Sequence, residues 1–386
     1  IGMRRGGRSY YAFDLTNPSS PNLLWTISNN TSGFAELGQT WSKPQSGMLS
    51  LAGQPTPVFV FGGGYDPNQD NCKKTTPTDC ADTQGRGLFV VNAKTGEKIW
   101  STNLACTSSD PHCTLHSIPS EVTTFDSDDS GYLDRIYAGD VGGNIWRVDM
   151  QGEPSSWTSI KLASLSDSTA TGDRRIFNAP TVARTLVQKV VAVDETYQVF
   201  DQAVDMILVG TGNRARPASD VGNKDNFVMI KDSYILPTRF GSAGIEKPTP
   251  VQFSDLYNIT NNPMSTSTDL MLSRANLSSH SGWRYGFSNS GEKSLGGALV
   301  ISGTVYFTSF SPNASSNLQC GIGELGVGKL YAVSLFDGSN RHTWREKEIG
   351  SRVPDTLVVH SGTNSDGQSE LRLLGVGQGE QVNVLV

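Results

Sequence analysis

Residues 135–149 read Arg135-Ile136-Tyr137-Ala138-Gly139-Asp140-Val141-Gly142-Gly143-Asn144-Ile145-Trp146-Arg147-Val148-Asp149. An aliphatic run with one tyrosine ends in glycine and a second, aromatic-bearing run ends at aspartate, so two short β-prone segments meet at a glycine-rich turn. The phrase is not unique. Along the chain, a Pro or small residue with alternating apolar neighbours leads to an aliphatic strand ending in Gly. An aromatic-rich strand ending near Asp or Asn follows, and then a strand closing on Trp. The copy containing residues 135–149 begins at Pro119 and closes, less clearly than the others, at Ser156-Trp157.

Before it stand a partial copy, Ser9-Tyr10-Tyr11-Ala12-Phe13-Asp14 with Leu24-Trp25, and a full one. The full one has Pro44, Val58-Phe59-Val60-Phe61-Gly62-Gly63, Gly87-Leu88-Phe89-Val90-Val91-Asn92 and Lys98-Ile99-Trp100. After it, Ala179-Pro180-Thr181-Val182 leads to Met206-Ile207-Leu208-Val209-Gly210, Asn226-Phe227-Val228-Met229-Ile230-Lys231 and, beyond a long excursion, Gly282-Trp283. Gly297-Ala298-Leu299-Val300, Thr304-Val305-Tyr306-Phe307-Thr308, Gly328-Lys329-Leu330-Tyr331-Ala332-Val333 and Thr343-Trp344 make another copy. A last half-copy has Val353-Pro354 and Leu371-Arg372-Leu373-Leu374-Gly375-Val376-Gly377.

Four short strands per copy, in about five copies, predict an all-β protein, a β-propeller formed as a single domain over residues 1–386. The copies are spaced more widely than the roughly 40–45 residues of a WD40 blade, so the excess is loop. Long insertions run from Asp66 to Asp82, Thr102 to His116, Arg214 to Asn223 and Ser242 to Ser281, and binding sites often lie on such loops. The terminal tryptophans are expected to pack one blade on the next.

Within the copy around residues 135–149, Asp126-Ser127-Asp128-Asp129-Ser130-Gly131-Tyr132-Leu133-Asp134 precedes the first quoted strand. Calcium takes six to eight oxygen ligands, and the EF-hand loop supplies side chains at positions 1, 3 and 5, a glycine at 6 and a backbone carbonyl at 7. Counted from Asp126, these are Asp126, Asp128, Ser130, Gly131 and the Tyr132 carbonyl. Position 12 is Tyr137 where an EF-hand has glutamate, so Asp134 must close the site. Val122-Thr123-Thr124-Phe125 and Arg135-Ile136-Tyr137-Ala138-Gly139 flank the loop with β-prone residues, so the predicted calcium loop joins two strands. An Asp/Ser/Gly-rich turn without metal is the plainer alternative. Three carboxylates crowded into nine residues favour a cation.

Forty-one glycines and 18 prolines, with little helical periodicity, suit one long all-β unit. The net charge of -6 offers no basic stripe for nucleic acid, and no run of eighteen apolar residues exists to span a membrane. The start, Ile1-Gly2-Met3-Arg4-Arg5, has neither an initiator methionine nor an apolar signal region. It reads as the tail of a strand and predicts a piece of a longer precursor with its targeting signal upstream. Of five cysteines, Cys72 and Cys80 bracket one polar loop and Cys106 and Cys113 another. Each pair is close enough for a local disulfide, which suits a periplasmic or cell-surface protein. Cys106, His112, Cys113 and His116 suit zinc by residue type, although no C-x-x-C pair is present. Cys320 is left over.

The chain resembles a known family in Gly7-Arg8-Ser9-Tyr10-Tyr11-Ala12-Phe13-Asp14-Leu15-Thr16 and in Tyr137-Ala138-Gly139-Asp140-Val141-Gly142-Gly143-Asn144-Ile145-Trp146-Arg147-Val148-Asp149. The likeness continues in Gly282-Trp283, Asn289-Ser290-Gly291-Glu292-Lys293 and Val305-Tyr306-Phe307-Thr308-Ser309-Phe310-Ser311-Pro312-Asn313. These are similar to the C-terminal β-propeller of the PilY1/PilC type IV pilus tip proteins, in the family's order and over nearly the whole chain. The resemblance implies a modified, quinoprotein-like propeller, seven-bladed in the family, with a calcium loop just before the Tyr-Ala-Gly-Asp strand. Asp126, Asp128, Ser130, Tyr132 and Asp134 match that loop. It also implies a place at the pilus tip on the cell surface, reached through the periplasm and outer membrane, with minor pilins and a host or abiotic surface as partners. The implied roles are pilus assembly, calcium-dependent opposition to retraction, surface adhesion, surface sensing and twitching motility, without catalysis. No Arg-Gly-Asp tripeptide occurs, so integrin-type adhesion is not carried over.

A quinoprotein dehydrogenase is the rival reading, since pyrroloquinoline quinone enzymes resemble this chain in their Trp-docked propellers and calcium. Their calcium ligands are scattered around a central funnel, and many carry vicinal cysteines. Here the oxygen donors are contiguous, no vicinal cysteines exist, and five histidines are too dispersed to name a catalytic set.

Overall fold

Strand Gln54–Gly62 places Val58 and Val60 on one face and Phe59 and Phe61 on the other, because side chains alternate along a strand. Val58 and Val60 join a buried cluster with Leu88, Val90, Ile136, Ala138, Trp146 and Val148. Phe61 joins a separate cluster with Phe89, Val91, Tyr10 and Ile27. One sheet thus has two apolar faces, each packed on a different neighbouring sheet, and its strands read as nearly continuous apolar runs.

The computed structural model describes residues 1–72, 81–104, 109–167, 169, 171–242, 244–313, 326–354, 356–363, 369–374 and 382–384. Contacts divide them into two compact units. The first holds Ile1–Thr169, Arg175–Pro180 and Tyr234–Phe253, and the second Ala170–Arg174, Thr181–Ser233 and Ser254–Val386.

In the first unit, Ser9–Asp14 and Asn22–Ser28 form a two-stranded sheet. Gln45–Leu51, Gln54–Gly62, Leu88–Asn92 and Lys98–Ser101 form a four-stranded antiparallel meander. Thr123–Phe125, Arg135–Gly139, Asn144–Asp149 and Thr158–Ser164 form the next, to which Val251–Gln252 adds a parallel fifth strand. In the second unit, Thr181–Val193, Thr196–Gly210, Asn226–Asp232 and Gly282–Gly286 make a meander extended in parallel by Tyr257–Asn258. Leu299–Ile301, Thr304–Pro312, Gly326–Ser334 and Glu346–Gly350 make another. Val358–Thr363, Ser369–Leu374 and Val382–Val384 make a three-stranded sheet. Four-stranded meanders in series are the blades of a β-propeller, in register with the copies read from sequence.

The second unit sorts its faces in the same way. Val305, Phe307, Tyr331 and Val333 pack with Phe227, Met229 and Trp283, whereas Tyr306, Leu330 and Ala332 pack with Ile349, Leu357 and Leu373. Each such side chain contributes about 1.5–3 kcal/mol on full burial, more than the roughly 1 kcal/mol net of a ladder hydrogen bond. Face-to-face packing therefore dominates. Two of the terminal tryptophans dock as expected: Trp25 Nε1 donates to the Ala93 carbonyl and Trp283 Nε1 to the Leu335 carbonyl, each at 3.0 Å. Ala93 and Leu335 directly follow the third strands of the adjoining sheets, so the dock repeats. At Gly96, φ is +75° and a Cβ would lie 2.8 Å from the Trp25 ring, so the turn beneath that indole needs glycine twice over.

Three features depart from the sequence reading. Trp157 does not end a strand: it follows the 3-10 turn Pro154–Ser156, its indole donates to Gly152 O at 2.9 Å, and the strand begins at Thr158. The stretch between Val182 and Met206 is not a loop, because Thr181–Val193 and Thr196–Gly210 pair without interruption. The insertion from Ser242 to Ser281 holds a ten-residue helix, Leu270–Ser279, capped by Asp269, which accepts Leu272 N at 3.0 Å. Leu270 and Leu272 are exposed while Leu277 is buried, so no apolar stripe announced it. Among the described residues no helix is long and apolar enough to cross a membrane.

Candidate metal centre

Thr123–Phe125 and Arg135–Gly139 pair antiparallel with Phe125 opposite Arg135, so residues 126–134 are the connection between the first two strands of their sheet. The backbone holds this connection at both ends, since Asp134 N donates to Phe125 O at 3.0 Å and Met150 N to Asp134 O at 2.8 Å. Two residues take left-handed φ, Asp129 at +58° and Gly131 at +84°. A Cβ on Gly131 would meet nothing within 4 Å, so glycine serves the turn by conformation alone. Aspartate is among the residues that tolerate the left-handed region.

The turn gathers its carboxylates. Asp126, Asp128 and Asp134 each offer an oxygen within 4.8 Å of the others, and among the described residues this is the one such group of three His, Cys, Asp or Glu side chains. Ser130 N donates to Asp126 Oδ1 and Asp128 Oδ1, both at 3.1 Å, and Gly131 N donates to Asp126 Oδ2 at 2.7 Å. Ser130 Oγ lies 3.5 Å from Asp126 Oδ1. Tyr132 enters through its N–H, which donates to Ser130 Oγ at 3.3 Å. The three predicted carboxylates and the serine hydroxyl are therefore together, and Tyr132 is next to them in the same turn.

Like charges so close oppose one another, by about 1 kcal/mol at 4 Å in water and about 4 kcal/mol near a protein surface. The loop meets this unevenly. Hydrogen bonds from Ser130 hold the exposed Asp128 carboxyl below its usual range, whereas burial pushes Asp134 up against the opposing hydrogen bonds of Ser127. Three carboxylates and a hydroxyl are all hard oxygen donors, without thiolate or imidazole. The set fits a hard divalent cation.

Sequence reasoning passed over Ser127. The residue is 7% exposed, its N–H donates to both Asp134 oxygens at 3.0 and 3.1 Å, and its hydroxyl donates to Asp134 Oδ2 at 2.5 Å. Ser127 thus orients the carboxylate that closes the loop, from a position that the ligand pattern treats as a spacer. Behind the loop, Asp149 is buried between Arg135, at 3.2 Å, and Arg147, at 2.8 Å, so the strand leaving Asp134 is fixed by a charge cluster as well as by its ladder. Asp140, completely buried, accepts Gly142 N at 2.8 Å, Asn144 N at 2.9 Å and Trp146 Nε1 at 2.8 Å. The Asp-x-Gly-Gly-Asn-x-Trp phrase is thus the architecture of a turn.

The zinc alternative loses two donors, because His112 Nδ1 accepts Lys161 N at 3.0 Å and Cys113 is disulfide-bonded. Cys72 is disulfide-bonded as well, while Cys80, Cys106 and Cys320 lie outside the described residues. An apolar groove of about 770 Å³ lined by Tyr11, Phe13, Trp25, Trp41 and Phe59 includes none of residues 126–134.

A type IV pilus biogenesis factor PilY1 homolog of Xylella fastidiosa is 27% identical over 357 residues, covering 87% of this chain and 21% of the relative. The type IV pilus biogenesis factor PilY1 of Pseudomonas aeruginosa strain UCBPP-PA14 is 30% identical over 163 residues, covering 40% of this chain and 12% of the relative. The chain thus spans about a fifth or less of their length. The crystal structure of the Pseudomonas aeruginosa PilY1 C-terminal domain superposes with a TM-score of 0.65 at 19% identity, over 100% of this chain and 79% of that one. Residues 1–228 match the family model described as the PilY1 beta-propeller domain. With more than half its length matched by that model, the chain belongs to the PilY1 β-propeller family.

Proposed function

We propose that this chain is the calcium-binding C-terminal propeller, one domain over residues 1–386, of a type IV pilus biogenesis protein. In this reading it works at the pilus tip with minor pilins. It supports pilus assembly, opposes retraction when calcium is bound, contributes to surface adhesion and twitching motility, and catalyses no reaction. The supporting observation is the convergence of Asp126, Asp128 and Asp134 on one contiguous loop within a PilY1-type propeller. Calcium suits the loop better than magnesium, because an exposed hairpin with carboxylate, hydroxyl and carbonyl donors accommodates an irregular shell of six to eight oxygens. Magnesium demands near-octahedral geometry and sheds water reluctantly. Disulfides Cys72–Cys80 and Cys106–Cys113 belong to the same proposal and fit an oxidising location.

Bound calcium would be held by the carboxylates of Asp126, Asp128 and Asp134, the Ser130 hydroxyl and the Tyr132 carbonyl, and would neutralise their mutual repulsion. At a hundredfold excess over Kd, such binding stabilises the folded form by about 2.7 kcal/mol. Its effect is local, fixing the surface around one hairpin while sheet packing keeps the rest rigid. The test is Asp134→Ala in the full-length protein, scored for surface pili and twitching in cells with and without the retraction motor. Loss of pili that returns when retraction is disabled supports the reading. Normal pili and motility in a variant that no longer binds calcium contradict it, and turnover with added quinone and an electron acceptor would sink the non-catalytic reading.

A further inference from the structure

Resting on that calcium reading, we infer that the neighbouring sheet forms part of the metal site's frame, with Leu133 and Gly47 as the positioning pair. Leu133 separates Tyr132 from Asp134, the two last residues of the proposed shell. Its N–H donates to Met48 O at 2.8 Å, and Met48 lies on Gln45–Leu51, the first strand of the other meander in the same unit. Its side chain sits directly on Gly47: a Cβ there would fall 2.2 Å from Leu133 Cδ1 and 2.7 Å from Cγ. Leu133 also packs against the cluster of Leu49, Val58 and Val60. Residue 133 is therefore seated on one sheet, while residue 134 is held by Phe125 O and Met150 N of its own.

This arrangement bears on the metal through one peptide plane. The Leu133 N–H and the Tyr132 carbonyl are opposite ends of the same peptide, which is trans, as the described chain has no cis bonds. A planar trans peptide points its N–H and C=O in opposite directions. Anchoring the N–H on Met48 O therefore sends the Tyr132 carbonyl away from the neighbouring sheet and sets the orientation of the one backbone ligand. Coupling of this kind is reciprocal: if the clamp orders the carbonyl for calcium, calcium tightens the clamp.

Gly47 offers a clean perturbation. Its φ lies outside the left-handed region, and in the ladder it pairs with Val58, so alanine suits its backbone and its methyl group displaces only Leu133. Calorimetric calcium titrations of the parent, Gly47→Ala, Leu133→Ala and the double variant are expected to show each single change weakening binding roughly tenfold. The double variant, which exchanges one side chain's volume for the other, should fall closer to the parent than either. In the unsubstituted protein, calcium should slow amide hydrogen exchange at Leu133 and within Gln45–Leu51. Parent-like affinity in Gly47→Ala, no recovery in the double variant, or exchange at Leu133 indifferent to saturating calcium overturns the inference and leaves the metal reading intact. A parent chain that takes up no calcium removes both.

Discussion

Ser127→Ala isolates the contribution of a residue that is not itself a ligand. The substitution removes a hydroxyl that donates to the Asp134 carboxylate at 2.5 Å and retains the backbone N–H at 3.0 and 3.1 Å, so the carboxylate keeps partners and loses its shortest one. Hydrogen bonds to a charged group contribute about 1.5–3 kcal/mol, and this one lies in a pocket where Ser127 is nearly buried. For metal affinity, removing such an orienting partner typically costs about 10–100-fold, and a tenfold loss corresponds to about 1.4 kcal/mol. The lower end applies here, because the remaining N–H still restrains Asp134. Calorimetry at fixed pH and ionic strength should therefore find calcium bound about tenfold more weakly by Ser127→Ala, with an unchanged far-ultraviolet circular dichroism spectrum. Binding within twofold of the parent would mean that Ser127 does not set the position of Asp134 in the bound state, and the orienting role would be abandoned.

Further expectations concern the scaffold. Trp283→Phe removes the donor to Leu335 O at a site where both residues are buried; it should cost about 1–3 kcal/mol, read as a lower urea midpoint with an unchanged m-value. Burial raises Asp225 to about 7 and, with Lys189 nearby, lowers Lys231 to about 8. The folded state holds more protons than the unfolded at Asp225 between its ordinary value and 7, so stability falls as pH rises through that window. It holds fewer at Lys231 between 8 and its ordinary value, so stability rises there. Both costs coincide between pH 7 and 8, and denaturant midpoints should pass through a minimum near that window. Asp225→Asn should flatten the acid side and Lys231→Met the alkaline side.

The propeller was legible because its physics repeats. Each strand must feed two sheet-to-sheet interfaces, so Val58, Val60, Phe59 and Phe61 are all apolar, and the tryptophans recur where an indole reaches the next sheet's carbonyl, as Trp25 and Trp283 do. What stayed hidden has no such period. The ribbon over residues 183–205 exposes Leu186, Val199 and Phe200 and carries charged residues on both strands, so it lacks alternation. The helix Leu270–Ser279 announces itself by its Asp269 cap alone. At residues 126–134, the gathering of the Asp126, Asp128 and Asp134 carboxylates was readable from their spacing, since the oxygen shell of a cation would require that pattern. Ser127 and Leu133 were not, because their roles depend on where the loop folds back and on which strand lies beside it.

The central claim is that residues 126–134 bind calcium within a PilY1-type propeller. Titration of calcium into the chain, by calorimetry beside Asp134→Ala, tests it most directly. One calcium should bind per chain, and none in Asp134→Ala, with the circular dichroism spectrum preserved. No binding by the parent, or equal binding by Asp134→Ala, would contradict it.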